Sequence, residues 1–226
     1  MLYVYTVFFS SHLQKAMQRL NALSSQLSLP GLDAPAPLFS PDSISTSHGS
    51  LFAYTLFLAI FPGFTDARQF AGLASKLRGQ YGLPGKLLLQ DRLHITLLKV
   101  DGFVDEIPQE KIDAAVAAAS RVDCAPFEIT FDRAMSFNES NAFVLRCDAK
   151  SDEAIARLRQ PLARALRQFG HRPQSSSTPH MTMLYDRKLV AEHPIQPISW
   201  TATRFALILS HAGLGHHQWI KEWNLG

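Results

Sequence analysis

The hydrophobic and polar residues of this chain recur with two periods, and these periods predict strands and helices in a mixed order. Apolar and β-branched runs that indicate strands occur at Leu51–Phe61, Leu87–Leu89, Leu93–Val100, Phe127–Phe137, Ala142–Cys147, the stretch from His180, Trp200–Leu214 and His217–Trp223. Apolar residues at helical spacing predict helices over residues 65–81, 108–122 and 151–169. The chain is therefore expected to mix α and β structure.

The predicted helix boundaries carry residues typical of helix ends. Thr65 and Ser151 are predicted N-caps, because their side chains can accept a hydrogen bond from the first free amides. Gly82 and Gly170 are predicted stops, because glycine readily adopts the left-handed conformation that ends a helix. Pro161 lies inside the third predicted helix, where its missing amide donor should kink the helix or split it in two.

The first fifty residues differ from the rest of the chain. Pro30–Ser50 is rich in Pro, Ser, Asp and Gly, a composition typical of a linker or a disordered segment. We expect residues 1–50 to be a poorly ordered N-terminal extension or the result of a wrongly chosen start codon. Residues 51–226 are expected to form the folded domain.

A motif of the form His-x-Thr-x, with an apolar residue at each x, occurs twice. It stands at His94-Ile95-Thr96-Leu97 and at His180-Met181-Thr182-Met183. Because successive side chains of a strand point to opposite faces, each His shares a face with its Thr while the apolar residues point to the other face. Repetition in matching contexts, more than either motif alone, indicates a site.

The two motifs sit in similar halves of the chain. Each half offers a strand, a helix, a terminal glycine, a connector and then the motif strand. Gly82 precedes His94 by 12 residues, and Gly170 precedes His180 by 10. This order predicts an internal duplication, with two similar lobes that face each other across a cleft.

Composition narrows the classes of function. Hydrophobic residues make up 46% and charged residues 18% of the 226, as in globular proteins. A net charge of +3 is compatible with a polyanionic partner. The sequence has no run of Lys and Arg that would indicate a nucleic-acid-binding arm. Cys124 and Cys147 have neither a disulfide framework nor a metal-binding spacing, which favours a cytoplasmic protein. Leu51–Phe61 is too short to cross a bilayer, so no membrane span is predicted.

The paired residues suit the handling of a phosphate group. Imidazole titrates near neutrality and can give or take a proton, which makes His94 and His180 the candidate catalytic residues. The hydroxyls of Thr96 and Thr182 can donate hydrogen bonds to phosphate oxygens, which makes them the candidate substrate-binding residues. This chemistry requires no metal and no cofactor.

The two motifs, with Leu51-Phe52-Ala53 and Phe61-Pro62, resemble the 2H phosphoesterase superfamily, and within it the bacterial 2′-5′ RNA ligase branch. The resemblance covers about residues 51–225. It implies an α+β fold with two pseudo-symmetric lobes of antiparallel sheet and flanking helices around a central cleft. It also implies a metal-independent RNA 2′,3′-cyclic phosphodiesterase that yields a 2′-phosphate, with ATP-independent 2′-5′ ligation as the reverse reaction.

By analogy with this family, His94 donates a proton to the departing 3′ oxygen and His180 activates water. The chain departs from the family at residues 98–102, where many members carry an aromatic-Leu-Gly run. Tyr185 and Arg172 are additional candidates for substrate contact. His216 and His217, near His211, are interpreted as part of a solvated turn rather than a metal site.

Two other functions stay open at this point. The same pair of histidines would serve a phosphodiesterase of small cyclic nucleotides or of 2′-5′ oligonucleotides. A catalytically inactive module that binds RNA or nucleotides is the third hypothesis. The expected partners are RNA ends or small nucleotide substrates, and a monomer is expected because each lobe can cover its own apolar faces.

Overall fold

The computed structural model describes residues 53–105, 107–175, 178–211 and 216–226. The predicted extension over residues 1–50 and the last residues of the predicted strand Trp200–Leu214 lie outside these ranges. The strands are β1 Tyr54–Ile60, β2 Ile95–Phe103, β3 Phe127–Phe137, β4 Ala142–Cys147, β5 His180–Tyr185, β6 His193–Ala202, β7 Arg204–His211 and β8 His216–Asn224. The helices are α1 Phe64–Tyr81, α2 Gln109–Ala119 and α3 Ala149–Gln168, and a short 3₁₀ helix, Gln90–Arg92, precedes β2.

The eight strands form one antiparallel sheet in the order β6-β3-β4-β5-β2-β1-β7-β8. In each half the motif strand is innermost, and the strand that precedes a helix, β4 or β1, lies beside it. The motif strands β2 and β5 pair at Ile95 with Met181, and isolated bridges at Leu87–Leu184 and Lys99–Gln174 also join the two halves. The prediction of an α+β fold with two pseudo-symmetric antiparallel halves is confirmed, and the halves belong to one continuous sheet.

The helices and the apolar face of the sheet share one hydrophobic core. Phe70 of α1, Ala115 of α2 and Leu158 of α3 belong to the same buried cluster as Ile95 and Met181. Because alternate strand residues point to opposite faces, burial of the apolar motif residues leaves their polar neighbours on the other, half-exposed face. Within the described ranges, no helix combines the length and apolar character needed to span a bilayer.

The predicted strand at Trp200–Leu214 is confirmed over Arg204–His211, which form β7, but its start is wrong. The chain forms two strands there, because Trp200 belongs to the end of β6 and β7 begins at Arg204. β6 was not predicted because it contains Pro194 and Pro197, whose backbone nitrogens cannot donate hydrogen bonds to a neighbouring strand. The strand tolerates them because it lies at the edge of the sheet, with β3 as its neighbour. The predicted strand at Leu87–Leu89 is reduced to an isolated bridge between Leu87 and Leu184.

The cap predicted at Ser151 is also wrong, because α3 begins earlier. Asp148 is the N-cap, and its carboxylate accepts a hydrogen bond from the amide of Ser151 over 2.8 Å. The Ser151 hydroxyl is buried and accepts instead from the amide of Thr130 over 2.8 Å, which ties α3 to β3. The helix passes through Pro161 without interruption, so the predicted split is wrong.

At the start of α1 the N-cap is Gly63 and not Thr65, and no side-chain hydrogen bond caps the helix. Gly82 ends this helix in the left-handed conformation, with φ of 57°, as predicted.

Replacement of Ser151 by Ala should lower the free energy of unfolding by about 1–3 kcal/mol, because the amide of Thr130 loses its acceptor. Urea denaturation followed by circular dichroism measures this change. Lys150→Ala is the matched control on the exposed side of the same helix turn, and it should change the free energy by less than about 0.5 kcal/mol. Equal effects of the two substitutions would contradict the structural role given to Ser151.

Candidate active site

The two motif strands meet at the seam between the halves of the sheet. There Ile95 pairs with Met181, and both side chains are fully buried. Continuing this antiparallel register by one residue in each direction sets His94 opposite Thr182 and Thr96 opposite His180. All four side chains are half-exposed on the same face. The structure therefore brings the four predicted site residues together at the seam, where His180 is close enough to His94 to lower its pKa.

Each motif histidine is oriented by a backbone carbonyl two residues before it. Nδ1 of His94 lies 2.7 Å from the Arg92 carbonyl oxygen, and Nδ1 of His180 lies 2.8 Å from that of Thr178. A carbonyl oxygen only accepts, so both Nδ1 atoms donate and the Nε2 atoms carry the lone pairs. His193 makes the same contact outside the site, with the Ala191 carbonyl at 2.9 Å. The contact therefore selects a tautomer but does not by itself make a site.

His94 lies against an aromatic wall. Its ring centroid is 5.4 Å from that of Phe57 and 5.5 Å from that of Phe61. The pKa of His94 is lowered to about 4, mainly by burial and to a smaller extent by the charges of Arg92 and His180, while the hydrogen bond to the Arg92 carbonyl acts in the opposite sense. His94 is therefore neutral near pH 7 in the free protein.

His180 has a more cationic environment. Burial lowers its pKa below the ordinary value of 6.5, and the charges of Arg159 and Arg146 lower it further, against the opposing hydrogen bond to the Thr178 carbonyl. Arg146 stands opposite His180 in the pairing of β4 with β5. Arg159 reaches from α3 and donates a hydrogen bond to the Thr96 carbonyl over 2.8 Å. Two guanidinium groups thus place positive charge beside the second histidine.

A third histidine lies at this site, and its interpretation as part of a solvated turn is wrong. The ring of His217, in β8, is 5.4 Å from the His94 ring and 5.4 Å from the Phe57 ring. Nε2 of His217 lies 3.2 Å from the Arg92 guanidinium and accepts its hydrogen bond, since arginine only donates. Sequence reasoning missed His217 because its position depends on the pairing of β7 with β8, which aligns it with Ser210.

A cavity of about 530 Å³ lies beside His94. Its lining residues include the exposed rings of Phe64 and Trp219, which are 75% and 44% exposed, and the polar side chains of Gln90 and Arg204. Phe61 separates this cavity from the histidine, because its ring is 4.4 Å from Trp219 and 5.5 Å from His94. The site therefore has an adjacent surface on which a flat ring can stack.

The two additional candidates for substrate contact are both exposed. Tyr185 ends β5 and is 57% exposed, and Arg172 lies in the segment between α3 and β5. Their contact with substrate stays a prediction. Among the described residues, no group of three or more His, Cys, Asp or Glu side chains is arranged to hold a metal ion.

The fold is similar to that of several solved structures. E. coli LigT complexed with 3′-AMP is 24% identical, with a TM-score of 0.60 over 76% of this chain and 97% of that chain. E. coli LigT complexed with NADP+ is 25% identical, with a TM-score of 0.59 over the same shares. The protein TT0787 of Thermus thermophilus is 20% identical, with a TM-score of 0.57 over 76% of this chain and 97% of that one.

The sequence itself carries the family assignment. No curated protein sequence matches the chain. Residues 66–214, about two thirds of its length, match the family described as the 2′-5′ RNA ligase superfamily. The match spans both motifs and the helices between them, and the predicted resemblance is confirmed. The chain belongs to the 2′-5′ RNA ligase superfamily of 2H phosphoesterases.

Proposed function

We propose that the protein is an RNA 2′,3′-cyclic phosphodiesterase that opens the cyclic phosphate to a 2′-phosphate without a metal ion, and that 2′-5′ ligation is its reverse reaction. One observation carries the proposal. His94 and His180 lie diagonally across the seam, and each presents Nε2 as the ring nitrogen with a lone pair. The complexes of E. coli LigT with 3′-AMP and with ATP support a nucleotide as the ligand.

The reaction needs one proton acceptor and one proton donor on opposite sides of phosphorus. In the proposed step, His180 accepts a proton from water as the water oxygen bonds to phosphorus. The bond from phosphorus to the 3′ oxygen breaks, and His94 donates its proton to that oxygen. Thr96 and Thr182 donate hydrogen bonds to the non-bridging oxygens, where charge develops. Exchange of one proton with solvent at each histidine restores the starting state.

The lowered pKa values of His94 and His180 affect the proton transfers of this reaction. Both histidines are mainly neutral near pH 7 in the free protein, so the donor must gain a proton before the 3′ oxygen can leave. A bound cyclic phosphate carries one negative charge, which favours the protonated form of a neighbouring imidazole. Substrate binding and proton uptake are therefore coupled in the proposed mechanism.

The cavity beside His94 supports a nucleoside as the group attached to the phosphate. We infer that the base of the terminal nucleotide enters it and stacks on Trp219. The same cavity favours a second candidate function, the hydrolysis of small cyclic nucleotides or of 2′-5′ oligonucleotides. We propose the monomer as the working unit, because the helices and the apolar face of the sheet bury one shared core.

Replacement of either motif histidine by Ala should lower kcat by roughly 10²–10⁴-fold, because each supplies one proton transfer. The assay uses a short RNA that ends in a 2′,3′-cyclic phosphate, with excess EDTA, and determines the position of the product phosphate. His193→Ala is the matched control, since His193 makes the same carbonyl contact away from the seam. Activity that EDTA abolishes, or that survives in both histidine variants, would contradict the proposal.

The value of kcat/KM should be highest below pH 6.5 and should fall as the pH rises. This profile reports on the free enzyme, in which one histidine must be protonated and the other neutral. Because the pKa of each histidine lies below 6.5, the fraction in that state declines above both values. Initial rates over a pH series at constant ionic strength measure the profile, and a maximum clearly above neutrality would refute the assigned protonation states.

Trp219→Ala should raise KM for a cyclic-phosphate nucleotide by about 10-fold or more and change kcat less, because base stacking is lost while the histidines are untouched. Trp219→Phe keeps an aromatic face and should restore most of the binding. Steady-state kinetics of the three proteins separate the two parameters. An unchanged KM in Trp219→Ala would exclude the cavity as the base-binding surface.

A further inference from the structure

A second cavity, of about 470 Å³, lies along α3 and is lined by arginines. We call it the arginine groove; its lining residues are Leu98, Ala156, Arg159, Gln160, Ala163, Arg164, Arg167 and Ser175. The helical members recur every three or four residues, so they share one side of α3. No carboxylate belongs to this lining among the residues that the structure describes. The groove therefore has a strongly positive surface.

Two of these arginines lack the partners that other arginines of the molecule have. Arg204 pairs with Glu222, and Arg133 and Arg146 share Glu192. The side chains of Arg164 and Arg167 form no hydrogen bond or ion pair with any other residue in the described part of the chain. Like charges three residues apart on a helix repel each other. An anion in the groove would relieve this repulsion and satisfy the guanidinium donors.

The arginine groove is linked to the candidate active site through Arg159. Beyond the pair Ile95–Met181, β2 is joined to the second half again at the bridge between Lys99 and Gln174. Leu98 and Ser175, which adjoin the two residues of this bridge, line the groove. Arg159 lines the groove, and its guanidinium donates a hydrogen bond to the Thr96 carbonyl while its charge lowers the pKa of His180.

We propose that the arginine groove binds the phosphodiester backbone of an RNA strand whose cyclic-phosphate end lies between His94 and His180. The proposal rests on the proposed function and deepens it, because it makes a polynucleotide the preferred substrate over a mononucleotide. Arg159 and Arg167 are eight residues apart, about 12 Å along the helix. That length accommodates more than one phosphate, and guanidinium groups bind phosphate through paired hydrogen bonds.

The test compares two substrates in one assay. One is an RNA of about eight nucleotides with a 2′,3′-cyclic phosphate, within the usual range of single-strand site sizes. The other is a 2′,3′-cyclic mononucleotide, which reaches the histidines but not the groove. Values of kcat/KM are measured over a series of salt concentrations for the wild type and for Arg164→Gln/Arg167→Gln. The control is Lys150→Gln/Arg157→Gln, which removes two exposed charges of the same helix outside the groove.

The groove variant should lose about 10-fold or more in kcat/KM on the RNA and nothing on the mononucleotide. Its slope of log kcat/KM against log salt on the RNA should be shallower by about 1.4, since each phosphate contact to a single strand contributes about 0.7. The control variant should resemble the wild type on both substrates. An equal loss on both substrates, or no loss on the RNA, would overturn the proposal.

Failure of the proposed function is recognised separately, because the wild type would then turn over neither substrate. In that case the same variants are tested for binding of a fluorescent single-stranded RNA by anisotropy. Weaker binding in the groove variant alone would support the groove, and unchanged binding would overturn it. If the groove variant loses binding to phosphatidylserine vesicles but binds RNA as the wild type does, the proposal is also overturned. The partner of the groove would then be a lipid surface.

Discussion

The pairing of Ile95 with Met181 is the contact on which the rest of the site depends. It joins two four-stranded halves that are otherwise stabilised by their own ladders. Both side chains are buried in the core shared with the helices, and this burial sets the register of the motif strands. A shift of one residue would turn the histidines into the core and the apolar residues toward the cleft. The hydrophobic side of each motif thus determines where its polar side lies.

Burial also determines the electrostatics around His94 and His180 at the seam. Phe57 and Phe61 remove water from His94, and the pKa of that imidazole falls to about 4. On the other side of the seam, Arg146 and Arg159 add positive charge beside His180. Because the imidazoles are neutral and the nearby arginines are cationic, the seam favours binding of an anion. A bound anion in turn favours protonation of a histidine. The arginine groove extends this preference for anions along α3. A longer polyanionic substrate would therefore make more contacts with the protein than a mononucleotide.

Local features of the sequence were predictable, and features that depend on tertiary contacts were not. The alternation in each motif predicted that His94 and Thr96 share a face, and the structure confirms this because period-two burial needs only the strand itself. β6 was missed because its prolines are acceptable only at a sheet edge. His217 was missed because strand pairing brings it to His94 from 123 residues away in the chain. Arg159 was missed because helix packing, not sequence spacing, brings it to the seam.

The division of labour between the two histidines is tested most directly by changing the leaving group. A nucleotide p-nitrophenyl phosphodiester releases a stable anion, so its cleavage needs a proton acceptor but no proton donor. His94→Ala should therefore approach wild-type rates on this substrate, while His180→Ala should stay as impaired as it is on the cyclic phosphate. Equal impairment of both variants on both substrates would contradict acid–base catalysis by the pair across the seam.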